Sequence, residues 1–125
     1  MESLFPLRAS DVPLDSGTSG WLYVLSNFAM PSFVKIGHTC IGLANRIRKL
    51  QGQTANPGIF ILELYYYTDS VEQHEKNIFE ILERFRINKS REFIVCTPQL
   101  AYYTLKNYFG REPDWIHPRL KQMLQ

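Results

Sequence analysis

Five residues in this sequence have side chains that could do chemistry and neighbours that make them conspicuous. Glu75 lies on a stripe at helical spacing, with Val71, Ile78, Leu82 and Phe85, so it points along the face that should be buried. A buried carboxylate costs several kcal/mol unless it is paired or holds a cation. A buried Glu–Arg pair, or a stripe rotated so that Glu75 sits at its edge, would account for it equally well. Arg46 lies three residues after Leu43 and four before Leu50, so it borders an apolar helical face, whereas Arg48 and Lys49 point outward. An inward-leaning arginine suits a phosphate or a carboxylate such as that of Glu75. Lys35 interrupts the apolar run "FVKIG", and His38 follows Gly37 at its end. Strand alternation turns Lys35 away from Val34 and Ile36, towards solvent or towards a site. Tyr23, in "LYV", reads either as a core aromatic or as a hydroxyl reaching a site at the rim.

These residues need elements to position them. At 125 residues the chain has the size of one domain with a real core. Apolar residues at 45% and charges at 21% exclude a disordered or low-complexity class. Residues 1–19 mix prolines with serine, aspartate and glycine and read as an arm or linker. The folded part is expected over 20–110. "WLYVLS" and "FVKIGH" are strands joined by a hairpin loop containing Asn27 and Pro31, and "GLANRIRKLQ" is a helix. "IFILELYYY" is a third strand, and Thr68, Asp69 and Ser70 offer N-caps to a helix from Val71 to about Arg86. "EFIVC" is a short strand, Pro98 opens a helix to about Tyr108, and Gly110 ends it. Residues 111–125 read as a proline-interrupted tail. The order β-β-α-β-α-β-α predicts an α+β domain around a small, largely antiparallel sheet flanked by helices.

No apolar run is long enough to span a membrane, and the N-terminus lacks a secretory pattern, so the expected address is the cytoplasm. Cys40 and Cys96 have no CxxC partner and read as reduced thiols; zinc is not expected. The net charge of +2 is small, but it is unevenly spread. No acid falls between Ser16 and Leu62, a stretch that holds Lys35, Arg46, Arg48 and Lys49. A second basic run contains Arg84, Arg86, Lys89 and Arg91, and the segment between the two runs is mostly acidic. Such blocks can build a positive and a negative face on one small domain, or simply solvated helix faces.

The order "GWLYVLSN", "FVKIGHT", "NRIRKLQ", "HEKNIF" and "REFIV" resembles the GIY-YIG nuclease superfamily. The likeness is to its branch of the meiotically up-regulated gene and bacteriophage open-reading-frame type, and it covers roughly residues 20–108. The resemblance implies a nuclease built on the hairpin. Tyr23 matches the first motif's tyrosine, and Lys35 takes the place of the second motif's first tyrosine. Arg46 matches the helix arginine, and Glu75 the metal-binding glutamate. Gly37 would let side chains gather closely. It implies further that Glu75 holds Mg²⁺ or Mn²⁺, that Arg46 contacts the scissile phosphate, and that Tyr23 or Lys35 activates water.

His38, where a lysine is common, becomes a phosphate contact or a bystander. Glu92 becomes a second polar ligand, or an acid paired with Arg91 or Arg86. Phe79 stands where the family helix often has a histidine. Arg48, Lys49, Arg84 and Arg86 are the expected DNA contacts. The implied activity is a divalent-metal-dependent DNA endonuclease in a phage or mobile-element setting. With no room for a separate DNA-binding domain, a homodimer or a protein partner could supply specificity. The rival readings are a nucleic-acid-binding module of the same fold with little or no activity, and a protein-interaction domain that retains the site residues as relics. The nuclease reading carries a geometric expectation: Tyr23, Lys35, Arg46 and Glu75 should converge on one concave site.

Overall fold

The computed structural model describes residues 7–13, 18–52, 60–87 and 93–125. Its centre is the strand β1, Gly20–Asn27, which is buried on both faces. Leu22 and Val24 point to one side of the sheet, Tyr23 and Leu25 to the other, and all four are fully buried. A strand with no charged or amide side chain before Ser26 is what such a position requires. β2, Phe33–Thr39, and β3, Phe60–Thr68, flank β1 in antiparallel register, and β4, Phe93–Val95, pairs with β2. A fifth strand, β5, Trp115–Ile116, closes the other edge, giving the order β4-β2-β1-β3-β5 with every pairing antiparallel. The α+β class and the antiparallel sheet therefore agree with the sequence.

Each face of the sheet has its own core. On one face α1, Leu43–Gln51, brings Leu43, Ile47 and Leu50 against Tyr23, Leu25 and Phe60. On the other, Leu22, Val24, Val34, Ile36, Leu64 and Tyr66 are covered by three helices. These are α2, Val71–Ile81, α3, Pro98–Phe109, and α4, Pro118–Met123. α3 begins and ends as its sequence demands. The Thr97 side chain accepts from Leu100 N at 3.1 Å, Pro98 opens the first turn, and Gly110 takes the left-handed φ of 72° that closes it.

Three expectations need correction. α2 ends at Ile81 and is followed by a 3-10 turn, Glu83–Phe85, rather than running to Arg86. None of Thr68, Asp69 and Ser70 caps it by side chain: Ser70 adopts φ 53°, its hydroxyl donating to Pro13 O at 3.3 Å, and the Ser19 hydroxyl donates to Asp69. The residues read as a tail belong to the domain. Trp115 stacks on Tyr65, the Asp114 carboxylate accepts from Tyr67 N at 2.6 Å, and Leu120 is fully buried.

The arm also docks in part, with Leu7 and Ala9 against the larger core and a 3-10 turn at Ala9–Asp11. Both cysteines are free, and burial pushes the Cys96 thiol up to about 11, so it is a packing residue. No helix among the described residues is long and apolar enough to cross a membrane.

Candidate active site

The C-terminal end of β2 and the first turns of α1 enclose a pocket of about 280 Å³. It is lined by His38 and Thr39 from the strand, Ile41 and Gly42 from the turn, and Asn45, Arg46, Arg48 and Lys49 from the helix. The turn is possible because Gly42 takes φ 85°, which a side chain would resist. α1 therefore starts beside His38, and its positive dipole end adds to three cationic side chains. Arg46 leans inward as its spacing predicted, and its Nε donates to the Tyr23 hydroxyl at 3.2 Å. Tyr23 is fully buried, so this bond fixes the guanidinium from beneath. Arg48 and Lys49 are exposed, with Arg48 Nη1 donating to Asn45 Oδ1 at 2.6 Å.

Glu75 comes to this region from α2. Its Oε1 lies 3.0 Å from His38 Nδ1, and its side chain is only 12% exposed. Of the alternatives the spacing left open, the rotated stripe is the one found: Val71, His74, Asn77, Ile78 and Leu82 are buried, and Glu75 sits at the edge. His74 and Asn77 are tolerated there because both side chains hydrogen-bond the Tyr108 hydroxyl. His74 Nδ1 lies at 2.7 Å from it, and Asn77 Nδ2 donates at 3.0 Å. Burial lowers the His74 pKa below the ordinary histidine value, keeping the ring neutral.

The four residues expected to converge fall into two groups. Tyr23 pairs with Gly37 and Leu25 with Lys35, so Tyr23 and Lys35 share the face covered by α1, where Arg46 joins them. His38 pairs with Leu22 on the other face, the one covered by α2, and Glu75 meets it there. Lys35 points over the Phe93 ring at 5.3 Å and is not among the residues lining the β2–α1 pocket. The expectation of a single face holding Tyr23, Lys35, Arg46 and Glu75 is thus corrected: the groups meet around the end of β2, through His38 and Arg46. The physical reason is strand alternation, which opposes neighbouring side chains and makes His38, not Lys35, the β2 residue facing α2.

Among the other expected contacts, Arg84 is exposed with its guanidinium over the Phe85 ring. Arg86 is only 14% exposed, lies over the Phe79 ring at 4.6 Å and is 3.7 Å from Glu83 Oε1. It reads as a packing residue more than a nucleic-acid contact, and Phe79 is its platform. Glu92 lies outside the described residues.

Among the described residues, no three His, Cys, Asp or Glu side chains gather as a metal cage. A single carboxylate at the site, that of Glu75, still fits Mg²⁺ or Mn²⁺. Mg²⁺ is commonly held through one or two carboxylates, with water and substrate phosphate completing its shell. Comparison with known proteins adds no relative: no family model, curated protein or solved structure matches the chain.

Proposed function

We propose that this domain is a divalent-metal-dependent nuclease that hydrolyses DNA phosphodiester bonds at the β2–α1 pocket, in the manner of the GIY-YIG superfamily it resembles. The observation that carries this reading is the meeting of two close pairs, Arg46 bonded to Tyr23 and His38 approaching Glu75, beside a cationic pocket. Arg46 binds a non-bridging oxygen of the scissile phosphate, and the Tyr23 hydroxyl keeps its guanidinium oriented as charge develops. Arg48 and Lys49 hold flanking phosphates, which sets affinity and makes it salt-dependent. With Nδ1 facing Glu75, His38 has Nε2 left to accept a proton from water or to donate to phosphate. Glu75 would hold the cation, which when bound polarises the phosphate and stabilises the attacking and leaving oxygens.

A second reading, a nucleic-acid-binding module without turnover, is favoured by the placement of Lys35 on the face opposite α2. One experiment separates the two. The protein is incubated with supercoiled plasmid and with branched DNA in Mg²⁺, Mn²⁺ or EDTA, and binding is followed in parallel by mobility shift. Cleavage in either metal and none in EDTA supports the nuclease. Retarded but intact DNA under all three conditions supports the binding module.

A further inference from the structure

At the far end of the hairpin from this pocket lies a second feature that the nuclease reading does not use. Glu63 is 1% exposed, yet it is an acid in the middle of β3. It sits at a bulge: Val24 pairs with Leu64 and Leu25 with Leu62, so Glu63 is the extra residue with no partner on β1. Bulges re-aim a side chain out of the ladder, and here the carboxylate is turned to Ser26 and Arg119. Its Oε2 accepts from the Ser26 hydroxyl at 2.5 Å and from Arg119 Nη2 at 2.8 Å. Its Oε1 is buried and has no hydrogen-bond partner among the described residues. Leaving a buried acceptor unpaired is costly, so this oxygen is a poised acceptor for an N–H donor.

Glu63 lines a pocket of about 190 Å³ whose walls also include Ser26 and Arg119 with apolar Ile61 and Met123. That is room for about six waters at roughly 30 Å³ each, enough for one planar heterocycle. Arg119 already balances the Glu63 charge, so the pocket favours a neutral donor over a cation. Arg119 is 47% exposed and can donate to an acceptor beside that donor. Phe28, also in the wall, is 70% exposed and offers an unoccupied aromatic face.

Adjacent N–H donors and carbonyl or ring-nitrogen acceptors on a flat ring describe the Watson–Crick edge of a nucleobase. We infer that this pocket receives one unstacked base of the nucleic acid bound at the β2–α1 pocket. Glu63 Oε1 accepts from its N–H edge, and Phe28 stacks on its face. The inference rests on the nuclease or nucleic-acid-binding reading above. β2 has seven residues, so the two pockets lie about 20 Å apart, a span that a short single strand covers.

The test uses a fluorescein-labelled DNA single strand of about ten nucleotides, and the same sequence as a duplex, with the wild type, Phe28→Ala and Glu63→Gln. Phe28 is exposed, so its variant should fold as the wild type does. In Glu63→Gln, Ser26 and Arg119 keep an oxygen at the Oε2 position, which places an N–H₂ where the base's own donor would come. Both variants should lose about tenfold in affinity for the single strand, from stacking and edge contact respectively, with duplex affinity unchanged. Unchanged single-strand affinity in Phe28→Ala overturns the inference, whatever Glu63→Gln does. So does an equal loss for single strand and duplex in both variants. If wild type binds or cuts DNA while Phe28→Ala matches it, the base pocket alone falls. If wild type neither binds nor cuts, the functional reading falls with it.

Discussion

Replacing Arg46 by alanine should damage turnover far more than it damages the fold. The structural cost of losing its bond to Tyr23 can be worked from that bond's geometry. Arg46 Nε donates to the buried Tyr23 hydroxyl at 3.2 Å, a long bond to a charged donor. The lower end of the range for such bonds, about 1.5 kcal/mol, is the appropriate figure. For a domain of this size that is a fall in melting temperature of about 6 °C. A domain with ordinary stability, roughly 5–15 kcal/mol, would still be almost wholly folded at 25 °C. Removing a preorganised cation from a developing phosphate charge costs about 10²–10³ in turnover, or about 2.7–4 kcal/mol. A hundredfold loss therefore could not come from unfolding. The assay is single-turnover cleavage of plasmid at saturating DNA, with melting curves and salt titrations on the same preparations. Arg48→Ala and Lys49→Ala should keep turnover at saturation, and each should lower the slope of log affinity against log salt by about 0.9. The reasoning is refuted if either exposed variant loses turnover as severely as Arg46→Ala.

Gly20→Ala should destabilise the domain by about 1–3 kcal/mol, because a Cβ there would lie 2.6 Å from Thr39 O and 3.0 Å from Val71 Cγ1; urea unfolding checks it, and an unchanged midpoint contradicts it. Tyr108→Phe should cost about 2–4 kcal/mol, since buried His74 and Asn77 both lose their partner; calorimetry measures this. Folding keeps His74 neutral by burial, so the unfolded chain binds more protons just below the ordinary histidine value. His74 therefore contributes a loss of stability as pH falls through about 6.5, levelling off below its lowered folded value, and His74→Gln should flatten that part of the melting-temperature profile.

Much of the fold was legible because its signals are local. Two apolar runs around Asn27 and Pro31 make the hairpin, and the Pro98 start and Gly110 stop bracket α3. The two-residue strand at Trp115 and the six-residue helix at Pro118 are too short to show any period, and their order comes from contacts with distant β3. The rotation of the α2 stripe stayed open in the sequence for a similar reason. His74 and Asn77 look like solvent-facing residues until Tyr108, on another helix, supplies their partner. In the site, the inward lean of Arg46 follows from helical spacing, and the pairing of Tyr23 with Gly37 follows from hairpin register. The contact of His38 with Glu75 could have been anticipated, since His38 shares a strand face with Val34 and Ile36 and so faces α2. Glu63 gave no such signal, because a bulge between two strands is a property of their pairing and not of either sequence.

The nuclease reading is tested most directly by cleavage with wild type and Glu75→Gln side by side in Mg²⁺, with EDTA as the control and DNA affinity measured for both. The Glu75 side chain is 12% exposed and keeps its shape as glutamine, so the variant should fold and bind DNA as the wild type does. Wild type should cut in Mg²⁺ and not in EDTA, and Glu75→Gln should leave the DNA intact. Equal cleavage by both proteins, or cleavage by wild type that persists in EDTA, would contradict the assignment of Glu75 and the metal-dependent reaction built on it.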